Sequence, residues 1–322
     1  MAKKQGNLAC IGAMKGVGGH LRELIYIEAK DRHINEKPVE KQYTMLFNGN
    51  GGHSGATPMG PKYRDDAAVK AANFILNLYF NTDKSAISIS KFDIQQPSRT
   101  SIPAQVEVGI NIHTTDKKLH KEITDYIQSS LICGEVILGD TTTNSNNVIG
   151  HEVILSTARL IRKMDIAGCS APDSDEVRGT ITTVDFTDAH RCELYADIRG
   201  GEHEAMHVAF NETIQNAVPD KVNIITELVS EKKPVKFDKG IMKLTEDILE
   251  QNFPGRVMKG HISVPGQDIG NISSHGIPSS LLFVESGTGH HPHEYVREEA
   301  MDLTFHAVLS LIFNWDKTLN RI

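Results

Sequence analysis

Alternation of apolar and polar side chains predicts four short strands and two amphipathic helices in residues 41–143. The strands are expected at 43–48, 87–90, 106–112 and 135–138, and the helices at 65–79 and 115–127. Asp65 and Asp66 stand in the first turn of the first helix, where the helix dipole favours negative charge. The resulting order, β-α-β-β-α-β, predicts a ferredoxin-like unit, which is an antiparallel sheet with both helices on one side.

A weaker copy of the same order follows in residues 144–230. The pattern predicts helices at 153–164 and 202–218, and strands at 180–186, 192–198 and 222–228. We interpret this segment as a second lid-like unit and the repeat as an internal duplication. Two such units packed within one chain predict a monomer in solution.

Residues 1–40 and 231–322 are predicted to form a partial α/β core that exposes apolar surface. Its expected elements are a strand at 25–27, a helix at 241–251, a strand at 279–284 and a closing helix at 298–314. The continuous apolar run of the last strand is typical of a buried central strand. The closing helix is expected to turn an apolar face inward, formed by Met301, Phe305, Val308, Leu309 and Ile312. The predicted class is therefore α+β, with the ferredoxin-like unit inserted in the partial core.

Composition and charge narrow the classes of function. The 322 residues carry a formal net charge of -7, which argues against nucleic acid as the main partner, since that task needs a basic face. No apolar run approaches 18 residues, so we expect no membrane span. The four cysteines are scattered, without a CxxC pair or a secretory signal before them, and this pattern favours a cytoplasmic protein with buried structural thiols.

Two histidine-bearing loops are candidates for chemistry. In the first, His53 follows a run of glycines that lets the backbone approach a ligand closely, although a solvent-facing turn would show the same pattern. The second loop carries His290, His291, His293 and Glu294, residue types that bind zinc. An incidental surface turn is the alternative for the second loop, which lacks the paired helical spacing of HExxH.

Two further positions are weaker candidates. Arg199 ends a predicted strand and could bind a carboxylate in bidentate fashion, or form a surface ion pair. Gln267 and Asp268 lie in a turn before a predicted helix, which Asp268 could simply cap. The sequence has no P-loop, no GxGxxG after a strand and no GxSxG elbow, so nucleotide binding and serine hydrolysis have no support.

Together these segments resemble a family of zinc-dependent amidohydrolases and peptidases with a dimerisation domain. Its members include N-carbamoyl-L-amino-acid hydrolases, allantoate amidohydrolases, acetylornithine deacetylases and aminoacylases. The similarity rests on the Gly-His-Ser-Gly-Ala-Thr-Pro-Met stretch from Gly52 to Met59, on Asp197-Ile198-Arg199, and on the late loop that begins at His290. It covers most of the chain from about Leu24 onward, apart from the extra middle unit.

The resemblance implies hydrolysis of an amide-type C–N bond by two zinc ions, with a ferredoxin-like lid that mediates dimerisation. It implies that His53 stabilises an oxyanion or substrate, reaching into a neighbour's active site. It further implies that Arg199 binds the substrate carboxylate and that His290 is a zinc ligand. Thr100 stands near a position that contacts substrate in relatives. Gln267, a further substrate-binding candidate, stands where relatives carry histidine.

The chain departs from the family at several chemical positions. The His-x-Asp motif and the Glu-Glu pair that precede the lid in relatives are not found before it in this sequence. The carbamoylase motif His-Ile-Glu-Gln-Gly corresponds to Tyr26-Ile27-Glu28-Ala29-Lys30, so that Tyr26 replaces a zinc-binding histidine. A catalytic zinc needs three protein ligands and an open position, whereas His290 alone matches a family ligand.

Three hypotheses follow. The first is a catalytically impaired relative that has lost zinc and acts in ligand binding or assembly, with a small N-substituted amino acid or peptide as its ligand. The second is an active hydrolase subunit whose metal-binding half lies on another chain or outside this sequence, so that a complementing chain or a homo-oligomer would be the partner. The third is a metal-binding module that uses His290, His291 and His293 with His261 or His275.

Overall fold

The computed structural model describes residues 9–30, 37–55, 57, 64–95, 98–130, 136–139, 148–167, 177–217, 221–264, 266–287 and 294–319. Helices and several separate sheets alternate along this part of the chain, so the expected α+β class is confirmed. None of the helices in the described ranges combines the length and the apolar character that a membrane span requires.

The first unit is a four-stranded antiparallel sheet with two helices. Its elements are β3 (Lys41–Asn48), α1 (Ala67–Asn81), β4 (Ile87–Ile94), β5 (Gln105–Ile112), α2 (Lys117–Ser129) and β6 (Val136–Gly139). The strands lie in the order β4-β5-β3-β6. Asp66 and Asp116 begin the two helices, because each side chain accepts hydrogen bonds from backbone amides of the first turn.

A second unit repeats this arrangement, but its first strand comes from much earlier in the chain. Its elements are β2 (Gly19–Ala29), α3 (His151–Ala167), β7 (Arg178–Asp188), β8 (Arg191–Gly200), α4 (His203–Ala217) and β9 (Val222–Lys232). The strand order β7-β8-β2-β9 matches that of the first sheet, element for element. The strand expected at 25–27 therefore pairs with β8 and β9, and the first unit is inserted between β2 and α3.

The two units share one hydrophobic core. Helices α1 and α3 pack against each other, and Tyr79 meets the ring of His151 edge-on at 4.3 Å between centroids. Strands β4 and β7 adjoin through Phe92 and Phe186, whose ring centroids are 6.5 Å apart. A single cluster of buried side chains runs through both units, so they form one packed body.

The remaining elements form a smaller α/β layer. Its central strand is β1 (Ile11–Val17), which pairs with β10 (Val235–Lys236), β11 (Val257–Ser263) and β12 (Leu281–Val284). The helices α5 (Lys239–Asn252), α6 (Ile269–Ser274) and α7 (Glu298–Leu319) complete it, with a two-stranded ribbon of β13 (Ser286–Gly287) and β14 (Tyr295–Val296). The prediction that 279–284 forms a buried central strand is wrong, because β12 is antiparallel to β1 and is partly exposed.

Helix α7 turns the opposite face inward from the one predicted. Its buried residues are Ala300, Leu303 and Ala307, which pack with β1 and α5. Met301, Phe305 and Ile312 are about 60% exposed. Small side chains allow the close approach of the helix, and the large apolar side chains are left as an exposed stripe.

Candidate functional site

The His53 turn follows β3 and is held by backbone contacts. Gly52 adopts a φ of 115°, which favours glycine, and its carbonyl accepts a hydrogen bond from the amide of Ile102 at 2.8 Å. The Ser54 amide donates to the Thr100 carbonyl at 2.9 Å, and the Ser54 Oγ lies 3.0 Å from the same oxygen. His53 is thereby buried, with only 8% of its surface exposed.

The hydrogen bonds of the turn fix the tautomer of His53. Its Nδ1 accepts a hydrogen bond from the Gly55 amide at 2.9 Å. A neutral imidazole that accepts at Nδ1 carries its proton on Nε2. We infer that His53 presents Nε2–H as a hydrogen-bond donor.

The end of β8 places an aspartate among arginines. Asp197 is fully buried, and its carboxylate accepts from Arg199 Nε at 2.9 Å and from Arg22 Nε at 3.1 Å. Arg199 is opposite His20 in β2, and Asp197 is opposite Arg22, so these four side chains lie on one face of the sheet. A buried carboxylate with two guanidinium partners is fully compensated.

The turn and the strand end meet directly. The Ser54 hydroxyl donates a short hydrogen bond to Asp197, and Arg178 Nη1 donates to the Gly55 carbonyl at 2.6 Å. A Cβ on Gly55 would lie 3.1 Å from Cγ of Arg199 and 3.2 Å from Cε1 of His53. The His53 turn of the first unit is therefore packed on the Arg199 strand end of the second unit.

The electrostatic character of this site is positive. Burial, together with the charges of Arg22 and Arg199, lowers the pKa of His20 to about 4, although Asp197 opposes the shift. His20 is therefore neutral near pH 7. Nearby, the buried Arg64 donates a short hydrogen bond to Thr180 in β7, and its charge is paired with Asp66 at 3.9 Å.

Of the other predicted site residues, Thr100 contacts the His53 turn and Gln267 lies apart from it. Thr100 adjoins the His53 turn through its carbonyl, as described above. Gln267 precedes α6 and accepts a hydrogen bond from the Gly270 amide at 3.0 Å through its own carbonyl. No contact joins Gln267 to His53 or Arg199 among the hydrogen bonds of the described residues.

Tyr26 lies elsewhere, in the middle of β2, where its hydroxyl donates to Glu227 at 3.2 Å. Within the ranges that the structure describes, neither Tyr26 nor Gln267 supplies the histidine that the resemblance expects at its position. His290, His291 and His293 lie outside those ranges. Of the positions that the resemblance assigns to zinc, the structure therefore describes Tyr26 and Gln267 and not the histidine loop.

Several residues of this site could not be singled out from sequence motifs. Arg22, Arg178 and His20 carry no motif, and they reach the site through strand pairing. The alternation along β2 was the available signal, because His20 and Arg22 are on the face opposite its buried apolar residues.

No family model matches the sequence, and a comparison with curated proteins found no match. The fold is similar to that of aminoacylhistidine dipeptidase from Vibrio alginolyticus, with a TM-score of 0.61 and 15% identity. That match covers 93% of this chain and 62% of the dipeptidase, so the chain spans less than two thirds of its length.

Two amidases of the hydantoinase/carbamoylase family match less well. The one from Burkholderia phymatum has 13% identity and a TM-score of 0.34, with 98% of this chain and 54% of the amidase covered. The one from Burkholderia multivorans has 15% identity and a TM-score of 0.35, with 93% and 49% covered. These scores are too low to support an argument about shared architecture. The comparison with the dipeptidase shows a shared fold, and at that level it confirms the predicted resemblance.

Proposed function

We propose that the chain binds the free carboxylate of a small N-substituted amino acid or dipeptide between two ferredoxin-like, lid-type units. The units are residues 41–139, and residues 19–29 together with 148–232. The observation that carries the proposal is the packing of the His53 turn on Asp197 and Arg199 within one chain. By the resemblance, the matching histidine and arginine come from neighbouring subunits, so we expect this chain to act as a monomer.

The residues supply the donors that a carboxylate requires. Asp197 engages the Nε of Arg199, and no hydrogen bond among the described residues uses its two Nη nitrogens, which could donate to a carboxylate in bidentate fashion. His53 adds a neutral Nε2–H donor, and the neutral His20 contributes no competing charge. The low dielectric of a buried site strengthens each of these contacts.

The expected ligand class follows from fold and chemistry together. The dipeptidase of similar fold is named for aminoacylhistidine substrates, which end in a free carboxylate. We propose N-carbamoyl amino acids, N-acyl amino acids and dipeptides as ligands. Because Tyr26 and Gln267 stand where the resemblance expects histidine, we propose that this chain alone binds such compounds without hydrolysing them.

An isothermal titration tests this proposal. The intact chain is titrated with N-acetyl amino acids, N-carbamoyl amino acids and dipeptides, and each mixture is also assayed for hydrolysis with added zinc. We expect binding without turnover, weakened about 10- to 100-fold by Arg199→Lys, since lysine keeps the charge and loses the planar fork.

Arg191→Lys is the matched control, because Arg191 lies at the other end of β8 in an exposed pair with Glu28. Equal affinity of the two lysine variants would contradict carboxylate binding by Arg199. Turnover by the purified chain would contradict the binding-only part of the proposal and leave the binding site intact.

A second candidate function is that of a hydrolase whose metal-binding residues come from another chain or from residues outside those described. It is favoured by the exposed apolar stripe of α7, which includes Met301, Phe305 and Ile312 and which a further segment would cover. Co-purification with a complementing segment should then restore zinc binding and turnover together. Phe305→Glu, at the centre of the stripe, should abolish that association and leave ligand binding at Arg199 unchanged.

A further inference from the structure

Two histidines and a glutamate converge at the start of α4, away from the Arg199 site. His203 and His207 are one helical turn apart and thus on the same face of the helix. Glu231 reaches them from β9, near the end of that strand. The two imidazole rings lie 4.8 Å apart between centroids, at an angle of 69°.

Both rings aim the same atom at one oxygen. His207 Nε2 lies 2.6 Å from Oε1 of Glu231, and His203 Nε2 makes a shorter contact with the same Oε1. The three potential ligand atoms lie within 4.8 Å of one another. The exposed fractions of the side chains, 28%, 39% and 27%, leave the cluster open to water on one side.

This arrangement is close to the ligand set of a tetrahedral metal. Zinc binds imidazole nitrogen at about 2.0–2.1 Å and carboxylate oxygen at about 2.0–2.2 Å, which separates two ligands by about 3.4 Å. The 2.6 Å between His207 and Glu231 therefore has to open by less than about 1 Å. We propose that His203, His207 and Glu231 bind a divalent transition metal of the zinc class, with water in the fourth position.

The surroundings favour a cation. Glu23 is buried on the face of β2 that also carries Leu21, and it interacts electrostatically with both His207 and Glu231. A bound divalent ion would offset the repulsion between the two carboxylates and stabilise their ionised forms.

The metal would fasten α4 to the sheet without entering the carboxylate site. Glu231 is opposite Leu21 in β2, whereas Arg199 is opposite His20, and adjacent strand residues point to opposite faces. The cluster thus lies on the helix-bearing face, behind the Arg199 face. Metal binding stabilises the folded state by a free energy that grows with the logarithm of the metal concentration over the dissociation constant, because the ligands converge only after folding. This inference does not depend on the proposed function.

Zinc titration of the intact chain tests the site. The protein is stripped with a chelator, dialysed and titrated with zinc chloride at pH 7.5 by calorimetry, with elemental analysis as a second readout. We expect the His207→Ala and Glu231→Gln variants each to bind one equivalent of zinc fewer than the parent chain, or to bind it more than about 100-fold more weakly. A loss of that size exceeds the effect of removing a residue that only hydrogen-bonds to a metal ligand.

His306→Ala is the matched control, because His306 is exposed on α7 and its Nδ1 bonds to the carbonyl of Asp302. The His306→Ala variant should bind as many equivalents of zinc as the parent chain. Urea midpoints measured in chelator check that each variant folds, and Glu231→Gln decides the question if His207→Ala does not fold. Equal zinc content and affinity in the parent chain and in Glu231→Gln would overturn the proposal.

Discussion

Asp197→Asn removes the charge that joins the two arginines to the His53 turn. The substitution conserves shape and leaves one oxygen as an acceptor, but it turns an amide NH2 group toward guanidinium or hydroxyl donors. Arg199 is 4% exposed at its side chain, so water replaces the missing partner poorly there, whereas Arg22 is 24% exposed and can be solvated in part.

The cost follows from these contacts. Breaking a buried ion pair by removing one partner costs about 3–5 kcal/mol, and a hydrogen bond to a charged group contributes about 1.5–3 kcal/mol. The partial exposure of Arg22 and the oxygen that Asn retains both reduce the loss. We expect the free energy of unfolding of Asp197→Asn to fall by about 3 kcal/mol.

Urea unfolding followed by circular dichroism measures this difference. Asp247→Asn is the matched control, because Asp247 forms an exposed pair with Lys243 one turn away on α5 and should lose at most about 0.5 kcal/mol. If the two asparagine variants unfold at the same urea concentration with equal slopes, Asp197 does not hold the two units together as described.

Three further predictions concern His20, Gly55 and Cys192. Burial and two guanidinium charges lower the pKa of His20 to about 4. The contribution of neutral His20 to the free energy of unfolding is therefore complete above about pH 6.5 and is lost as the pH falls toward 4. His20→Gln should reduce that loss by on the order of 1 kcal/mol in urea titrations at pH 7 and 5, given the partial exposure of the ring. Gly55→Ala should weaken ligand binding several-fold in calorimetry, since its Cβ would lie 3.1 Å from Arg199, whereas Gly266→Ala, with nothing within 4 Å, should not. Burial raises the pKa of Cys192, so peptide mapping after treatment of the folded protein with a thiol reagent should find it unmodified until urea is added.

Local periodicity predicted most helices and strands near their observed positions. The helix expected at 65–79 is observed as Ala67–Asn81, and the strand at 106–112 as Gln105–Ile112. These elements have strong alternation or aspartate caps, which act within a few residues. Strand β1, with the sequence IGAMKGV, was missed because its glycines and lysine break any alternation.

Long-range pairing could not be predicted. Nothing within residues 19–29 indicates that they pair with strands more than 160 residues later, where Arg22 is opposite Asp197. The choice of face on α7 failed for a similar reason. A helix with two apolar faces is oriented by its neighbours, and close packing on β1 favoured Ala300 and Ala307 over the larger side chains.

The candidate site was predicted in part. The family resemblance singled out His53, Thr100 and Arg199, which the structure brings to one place, and it also singled out Tyr26 and Gln267, which have no contact with that place among the described residues. The histidine pair of α4 was overlooked. Its i, i+4 spacing was readable, but Glu231 is 24 residues further along the chain and joins the pair only through folding.

The most direct test of the central claim is a double-mutant cycle between Arg199 and the ligand carboxylate. The affinities of an N-acetyl amino acid and of its carboxamide are measured for the parent chain and for Arg199→Gln. We predict a coupling energy of about 1.5–3 kcal/mol, as expected for a hydrogen-bonded charge pair. A coupling energy of zero, with the carboxylate and the carboxamide equally affected by the substitution, would contradict carboxylate binding between the two units.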